Sequence, residues 1–320
     1  MKVEADYNFV KLWNESFSKS LKLKLKDNFF IKKNYFLKKY LFISPWNPIL
    51  FSDNLNDNFD EKRYKILEKY NEVFGLTCTP LEDIPNNKKL KLIRDNLVIH
   101  YIDIRNKNIH DLFKNYKSDI RRKIRSGYKK FKFVKLTNYK SFRKYKEEIK
   151  KMIITQHIYF CSPCPPFELI ENLFIDKLLD IYIAFHKNNI VAFSSLTKDK
   201  NIVQIAWYAK KIDFKDHYLG ITFNHFCLEE AIKENAKVFS LGTSSRKSLE
   251  KFKEKLNAKK ALLIKKKIIY KKKLNSIKYI KTSRKRLNLT AMKVILSIII
   301  NVFGQRSFEI FSKEIWKRFD

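Results

Sequence analysis

The chain is poor in the residues that staple or loosen a fold. Its 320 residues include four cysteines, too few for a disulfide framework in a protein this size and in keeping with a reducing cytoplasm. Glycine is scarcer still for the length, with five (Gly75, Gly127, Gly220, Gly242 and Gly304), so each one marks a place where the backbone needs freedom. Acid is missing over a long reach: no Asp or Glu lies between Glu254 and Glu309. The opening residues, MKVEADYNFV, lack the charged-then-apolar layout of an export signal, which points to the cytoplasm. No uninterrupted apolar run reaches membrane-span length; the best, Leu289 to Phe303, is short and broken by Lys293.

What is present argues for a folded protein with a polyanionic partner. Hydrophobic residues make up 45% and aromatics 15%, which excludes a disordered tail, and the length accommodates two domains with cores of their own. Sixty-eight Lys and Arg against 33 Asp and Glu give a formal charge of +35. Such a surface attracts nucleic acid, nucleotide-linked substrates or an anionic membrane face, although an AT-rich genome's codon supply also enriches lysine.

The hydrophobic pattern alternates between helix and strand periods. Asp6–Ser20 reads as a helix with Phe9, Leu12, Trp13 and Phe17 on one face, followed by strands at Phe29–Ile31 and Tyr40–Ile43. Asp60–Phe74 reads as a helix closed by Gly75, and Val98–Asp103 as a strand. A basic helix over Asn108–Ser126 is expected to stop at Gly127. Helices at Tyr139–Thr155 and Phe167–Leu179 precede strands at Asp180–His186 and Ile190–Thr197, joined by a hairpin turn, and a third at Ile202–Lys210. An amphipathic helix over Leu219–Asn235, a strand Lys237–Leu241, a helix Ser248–Asn257 and a strand Ala261–Tyr270 complete an α/β succession around a mixed sheet. Past Lys273 the chain is basic and then apolar at Val294–Val302, an amphipathic appendage that covers the core or lies on a membrane.

The most informative stretch is Val238-Phe239-Ser240-Leu241-Gly242-Thr243-Ser244, followed by a helix containing Leu249, Phe252, Lys253 and Leu256. A strand that ends in glycine and small hydroxyls before a helix is where open α/β sheets hold ligands, because free N–H groups and the helix dipole converge there. An ordinary turn capped by Ser244 or Ser245 uses the same residues.

This stretch resembles the signature of FemAB-like transferases and the related BioF2-like acetyltransferase domains of the GNAT superfamily. Ser118-Asp119-Ile120-Arg121-Arg122-Lys123-Ile124-Arg125-Ser126-Gly127 is similar to that family's arginine-rich helix between its lobes. Ile43 to Leu50 is similar to a proline-containing segment of its first lobe, and Cys164-Pro165-Pro166-Phe167 to its proline-rich turn. Lys187 to Phe193 resembles its hairpin, so the ordered pieces span roughly residues 5 to 270. The resemblance implies two GNAT-like lobes, each a mixed twisted sheet flanked by helices: 1–117, then 118–273 carrying the signature, with 274–320 as a basic, partly apolar helical tail. It implies transfer of an acyl group to an amine, from acyl-CoA in some members and from aminoacyl-tRNA in the Fem branch. The lysine implicated in catalysis in that branch matches Lys253, after Phe252.

Read from the residues, Phe252 shares a helical face with Leu249 and Leu256 and belongs in the core, while Lys253 sits at the edge of that face. There its ammonium stabilises a developing oxyanion, or is merely solvated. Arg121, Arg122 and Arg125 stand out in a lysine-rich chain; guanidinium forks grip phosphate or carboxylate, and they also brace helices. Before the amphipathic helix, GNAT enzymes that use acetyl-CoA carry a glycine-rich pyrophosphate turn. Here Leu219-Gly220-Ile221-Thr222 offers one glycine and a threonine as the cofactor-binding turn, together with Gly242 and Ser244. Trp207 and Tyr208 lie on the strand that faces the acyl group, and His157, Asp216 and His217 are further candidate bases. Cys161 and Cys164 form a lone C-x-x-C without a second pair, so no metal site is expected.

The expectation is therefore an N-acyltransferase, acetyl-CoA being the first donor to test, acting on an amine of a sugar or cell-envelope precursor. An aminoacyl-tRNA-dependent peptidyltransferase is the second reading. A non-catalytic basic module bound to nucleic acid or a membrane surface, attached through the tail, is the third.

Overall fold

The computed structural model describes residues 6–21, 98–244, 247–269 and 286–318, with strand segments at 25–26, 29–33, 39–42, 50–51, 72–80 and 277–280. These residues form a 13-stranded mixed sheet. In chain order the strands are β1 (Leu25–Lys26), β2 (Phe29–Lys33), β3 (Lys39–Phe42), β4 (Leu50–Phe51), β5 (Glu72–Pro80), β6 (Val98–Asp103) and β7 (Lys132–Leu136), then β8 (Leu179–His186), β9 (Asn189–Thr197), β10 (Ile202–Lys210), β11 (Val238–Thr243), β12 (Lys259–Ile269) and β13 (Ile277–Ile280). Across the sheet the order is β1-β2-β3-β5-β12-β6-β11-β10-β9-β8-β7, with β4 on β5 and β13 on β12.

The helices are α1 (Tyr7–Leu21), α2 (Ile109–Lys114), α3 (Ser118–Lys130), α4 (Tyr139–Tyr159), α5 (Phe167–Ile175), α6 (Leu219–Lys233), α7 (Lys247–Glu254) and α8 (Arg286–Arg318). Two apolar cores result, one for each helix layer. Phe9, Trp13 and Phe17 of α1 join Phe142, Leu169, Leu173, Leu296 and Phe308 in the first. Ile120 and Ile124 of α3 join Phe223, Cys227, Phe239 and Leu256 in the second.

Strand pairing crosses the expected 117/118 division. Strand β6, from the first part, lies between β11 and β12 of the second, with Tyr101 opposite Ser240 on one side and Lys259 on the other. β12 also pairs with β5 from Ala261↔Pro80 to Ile269↔Glu72. The two parts thus share a continuous hydrogen-bonded sheet.

Several sequence expectations change in detail. The basic helix expected over Asn108–Ser126 is two helices, α2 and α3, and Gly127 lies inside the second instead of ending it. Gly127 is needed for packing: a Cβ there would come within 2.0 Å of Thr222 Oγ1 on α6. Of the helix expected over Asp60–Phe74, Glu72 to Phe74 belong to β5; residues 60–71 and the proline segment 43–49 lie outside the described residues. The helix expected to reach Leu179 ends at Ile175, with Lys177 at φ 57°, and Leu179 opens β8. The hairpin turn after β8 is as expected, with Lys187 and Asn188 at φ 47° and 65°, both in the left-handed region such turns require. The tail helix runs well past Phe303. Val294–Ile315 forms 22 residues of mean hydropathy 1.4, long and apolar enough to cross a membrane by length and composition alone. Gly304, at φ 73° and ψ −175°, breaks it in the middle.

Candidate functional site

A gap opens in the strand ladder where two parallel strands part. β10 and β11 pair at Ile202↔Val238, Val203↔Phe239 and Gln204↔Ser240 and no further. Beyond that rung each strand carries an irregularity and follows its other neighbour. On β10, Ile205 faces Leu196 and Trp207 faces Ser195 of β9, so Ala206 is an extra residue outside the ladder. On β11, Ser240 faces Tyr101 and Gly242 faces His100 of β6, so Leu241 is extra. A bulge bends and twists its strand, and two at one level turn the strands away from each other. The gap lies at the C-terminal ends of parallel strands, where α/β sheets leave ligand crevices. Gly242 takes φ 70°, and a Cβ on it would lie 4.0 Å from the carbonyl oxygen of Ile205 across the gap.

Lys253 sits at the β11 side of this gap, and it is buried, with 5% of its surface exposed. Its Nζ donates to the carbonyl oxygens of Gly242 and Thr243, both at 2.9 Å. The bulge and the glycine's left-handed φ present two successive carbonyls to one ammonium. Removal from water lowers the pKa of Lys253 to about 7, with Glu250 pulling the other way. A lysine with that pKa holds a substantial neutral fraction at neutral pH, so it is able to accept a proton as well as donate hydrogen bonds. The outcome corrects the expected orientation of α7: Lys253 is its buried residue, Phe252 is half-buried and Leu249 is 37% exposed. Phe252 packs on α6, its ring 3.7 Å from the Cβ position of Gly220.

Sequence reasoning missed two buried polar groups here. His100 on β6 is fully buried, its Nδ1 3.3 Å from Ser244 Oγ, while its Nε2 meets no partner among the described residues. Burial first, then Lys253 and Lys260, lower its pKa to about 4, so the imidazole is neutral. Gln204 stands on the last rung before the strands part, buried, with Oε1 unpaired among the described residues. The available signal was a lone polar residue inside each apolar run, Val98-Ile99-His100-Tyr101 and Ile202-Val203-Gln204-Ile205.

The N-terminus of α6 is occupied by a carboxylate of the chain itself. Asp216 Oδ1 accepts from the N–H groups of Tyr218 at 2.6 Å and Leu219 at 3.2 Å, and Lys130 Nζ lies 3.2 Å from Oδ2. Burial works to raise the Asp216 pKa, but the Tyr218 N–H, the Lys130 ammonium and the Leu219 N–H outweigh it and hold the carboxyl below its usual range. Free helix N-terminal N–H groups are what a pyrophosphate needs. Around them, Leu219, Ile221 and Thr222 are buried, and Thr222 Oγ1 donates to Tyr218 O at 2.8 Å beneath Gly127.

The other sequence candidates are placed as follows. Trp207 is buried in the first core; its N–H donates to Ser195 Oγ at 3.0 Å. Tyr208 packs edge-on against Phe223, and burial raises its phenol pKa, so it stays protonated. The Gln156 amide donates to the Tyr208 carbonyl at 2.8 Å and accepts from the N–H of Lys210, two residues on, at 3.2 Å. Arg121 Nη1 donates to the carbonyls of Lys114 and Tyr116 at 2.7 and 3.0 Å, bracing the α2–α3 joint. Arg125 lies 5.5 Å over the Phe113 ring, and Arg122 is exposed. His157 hydrogen-bonds Ser162 at 3.0 Å in its own turn, and burial lowers its pKa to about 4; His217 is exposed. Cys161 and Cys164 are free thiols, and no His/Cys/Asp/Glu group suited to a metal occurs among the described residues.

No protein-family model matches the sequence, and no curated protein matches it. Solved structures do match. FemX superposes with a TM-score of 0.55 at 12% identity, covering 82% of this chain and 96% of that one. A conserved protein of unknown function from Bacteroides thetaiotaomicron gives 0.47 at 12% identity over 82% and 93% of the two chains. L-PGS from Bacillus licheniformis gives 0.47 at 8% identity over 96% and 99%. The chain shares the α/β fold of FemX.

Proposed function

We propose that the protein transfers an acyl group from an RNA-borne aminoacyl ester to an amine, with Lys253 as the base. One observation carries this reading: a buried lysine with its pKa lowered to about 7, held by two backbone carbonyls at the end of β11, where it parts from β10. An amine acceptor reaches the enzyme as an ammonium and must lose a proton before it attacks. Neutral Lys253 takes that proton. The freed amine attacks the ester carbonyl and a C–N bond forms. Lys253, having passed the first proton to water, takes the second from that nitrogen and delivers it to the ribose oxygen as the C–O bond breaks. The extra residue Ala206 stands outside the register of the ladder, and we assign its backbone N–H to polarising the carbonyl under attack.

Asp216 favours the RNA-borne donor. Acyl-CoA needs free N–H groups for its pyrophosphate, and Asp216 already takes the N–H of Leu219, the first residue of α6, and that of Tyr218 just before it. An aminoacyl-tRNA presents no pyrophosphate and gains from the +35 charge. The acceptor class is an amine on a nucleotide-linked sugar or cell-envelope precursor.

The test offers the purified protein two donors, aminoacyl-tRNA and acetyl-CoA, with a panel of amines, and reads acylated product by mass spectrometry. Transfer from the tRNA ester alone is expected. Transfer from acetyl-CoA would overturn the donor assignment. Salt-sensitive tRNA binding with no transfer from either donor would make the chain a basic binding module instead.

A further inference from the structure

The tail helix α8 carries half of the exposed large apolar side chains among the described residues. Val294, Ile295, Ile298, Val302, Phe303 and Ile310 are 46–66% exposed, the greatest values falling on Val302 and Phe303. Those two stand immediately before the Gly304 break, where the backbone turns at φ 73° and nothing lies within 4 Å of the Cβ position. The bend therefore presents an apolar corner to solvent. The opposite stripe is committed to the protein: Leu296, Phe308 and Ser312 are fully buried, and Ile299, Ile300, Phe311 and Ile315 pack on the first core.

Those facts decide between crossing a membrane and lying on one. A span would have to withdraw Leu296 and Phe308 from the core. It would also set the irregular backbone at Gly304 in hydrocarbon, where N–H and C=O groups that leave the helix ladder find no partner. A helix fixed to the body by one stripe, with the other apolar and solvent-facing, suits the interface.

Charge selects the occupant. The chain is acid-free from Lys255 to Phe308, and Arg306, two residues past the break, is exposed. A second copy, also at +35, is repelled from such a face, whereas an anionic lipid surface is attracted to it. We infer that the exposed face of α8 docks the protein peripherally on an anionic lipid bilayer, with the Val302–Phe303 corner inserted among the headgroups. This inference does not depend on the acyl-transfer reading.

The experiment is vesicle co-sedimentation of the full chain. Vesicles are phosphatidylcholine alone, or roughly three parts phosphatidylcholine to one of phosphatidylglycerol, at low salt and at about 0.5 M salt. The wild type is expected to bind only the anionic vesicles and to stay partly bound at high salt. V302E/F303E, at two exposed positions, is expected to keep its circular dichroism spectrum and lose high-salt binding by about tenfold or more. In F303W, tryptophan emission shifts to the blue on anionic vesicles. Complete release of the wild type by salt, with V302E/F303E binding like it, would reduce the interaction to unspecific charge and overturn the inference. So would a concentration-dependent dimer in free solution that the same double substitution abolishes.

Discussion

At the scale of single residues the account turns on Lys253. Its position was legible, because the Phe-Lys pair follows a glycine-ended strand. Its burial was not, because helical periodicity groups Leu249, Phe252 and Leu256 and leaves the lysine outside. What overrides the period is the pair of carbonyls at Gly242 and Thr243, which draw the ammonium inward, and no pattern of side chains foretells where backbone oxygens converge. The base role makes a sharp distinction between variants. K253M should lower kcat by roughly 10²–10⁴-fold. K253R, which keeps the charge and cannot release a proton near neutrality, should be as impaired. The chemical step should speed up as pH rises through about 7, the pKa of Lys253, because the base is the neutral form. Stability carries the same signature. The folded state holds this lysine's pKa below the ordinary 10.5, so between about 7 and 10.5 the unfolded chain binds more protons and folding strengthens as pH rises. The stability of the wild type relative to K253M, from urea denaturation across that window, should climb with pH by at most about 1.4 kcal/mol per unit.

At the scale of elements, the junction of α3 with α6 shows how a glycine can be misread. Gly127 follows a basic helix and looks like a terminator, yet it marks the point where two helices touch, and only the tertiary contact reveals it. G127A should therefore destabilise the fold by about 1–3 kcal/mol in chemical denaturation, because Thr222 must shift to admit a methyl group. The first turn of α6 offers a second test. D216A should cost about 1 kcal/mol of stability as a lost cap. The Asp216 pKa is held below its ordinary value of 3.8, so its contribution is complete above that pH and is lost as the pH falls through the lowered value. Strand positions and the hairpin at Lys187–Asn188 were legible from alternation and turn chemistry. The paired bulges that open the gap were not, since an extra residue in a ladder is defined by its partner strand.

At the scale of the molecule, the sequence conveys an α/β architecture and the family resemblance. It does not convey how the two parts interleave: β6 sits between β11 and β12, and α1 packs with α5 and α8 in one core. Pairing between strands far apart in sequence leaves no local trace. That interleaving brings His100 from the first part against Ser244 from the second, so the site exists only when both have folded. The +35 charge was plain from composition, and it predicts RNA affinity that falls steeply with salt. The most direct test of the central claim is single-turnover transfer of a labelled aminoacyl group from tRNA to an amine, followed against pH for the wild type and K253R. The account predicts a wild-type rate that rises through a pKa near 7 and a K253R rate lower by roughly 10²-fold or more at every pH. Equal rates for the two proteins, or a wild-type rate independent of pH across neutrality, would contradict it.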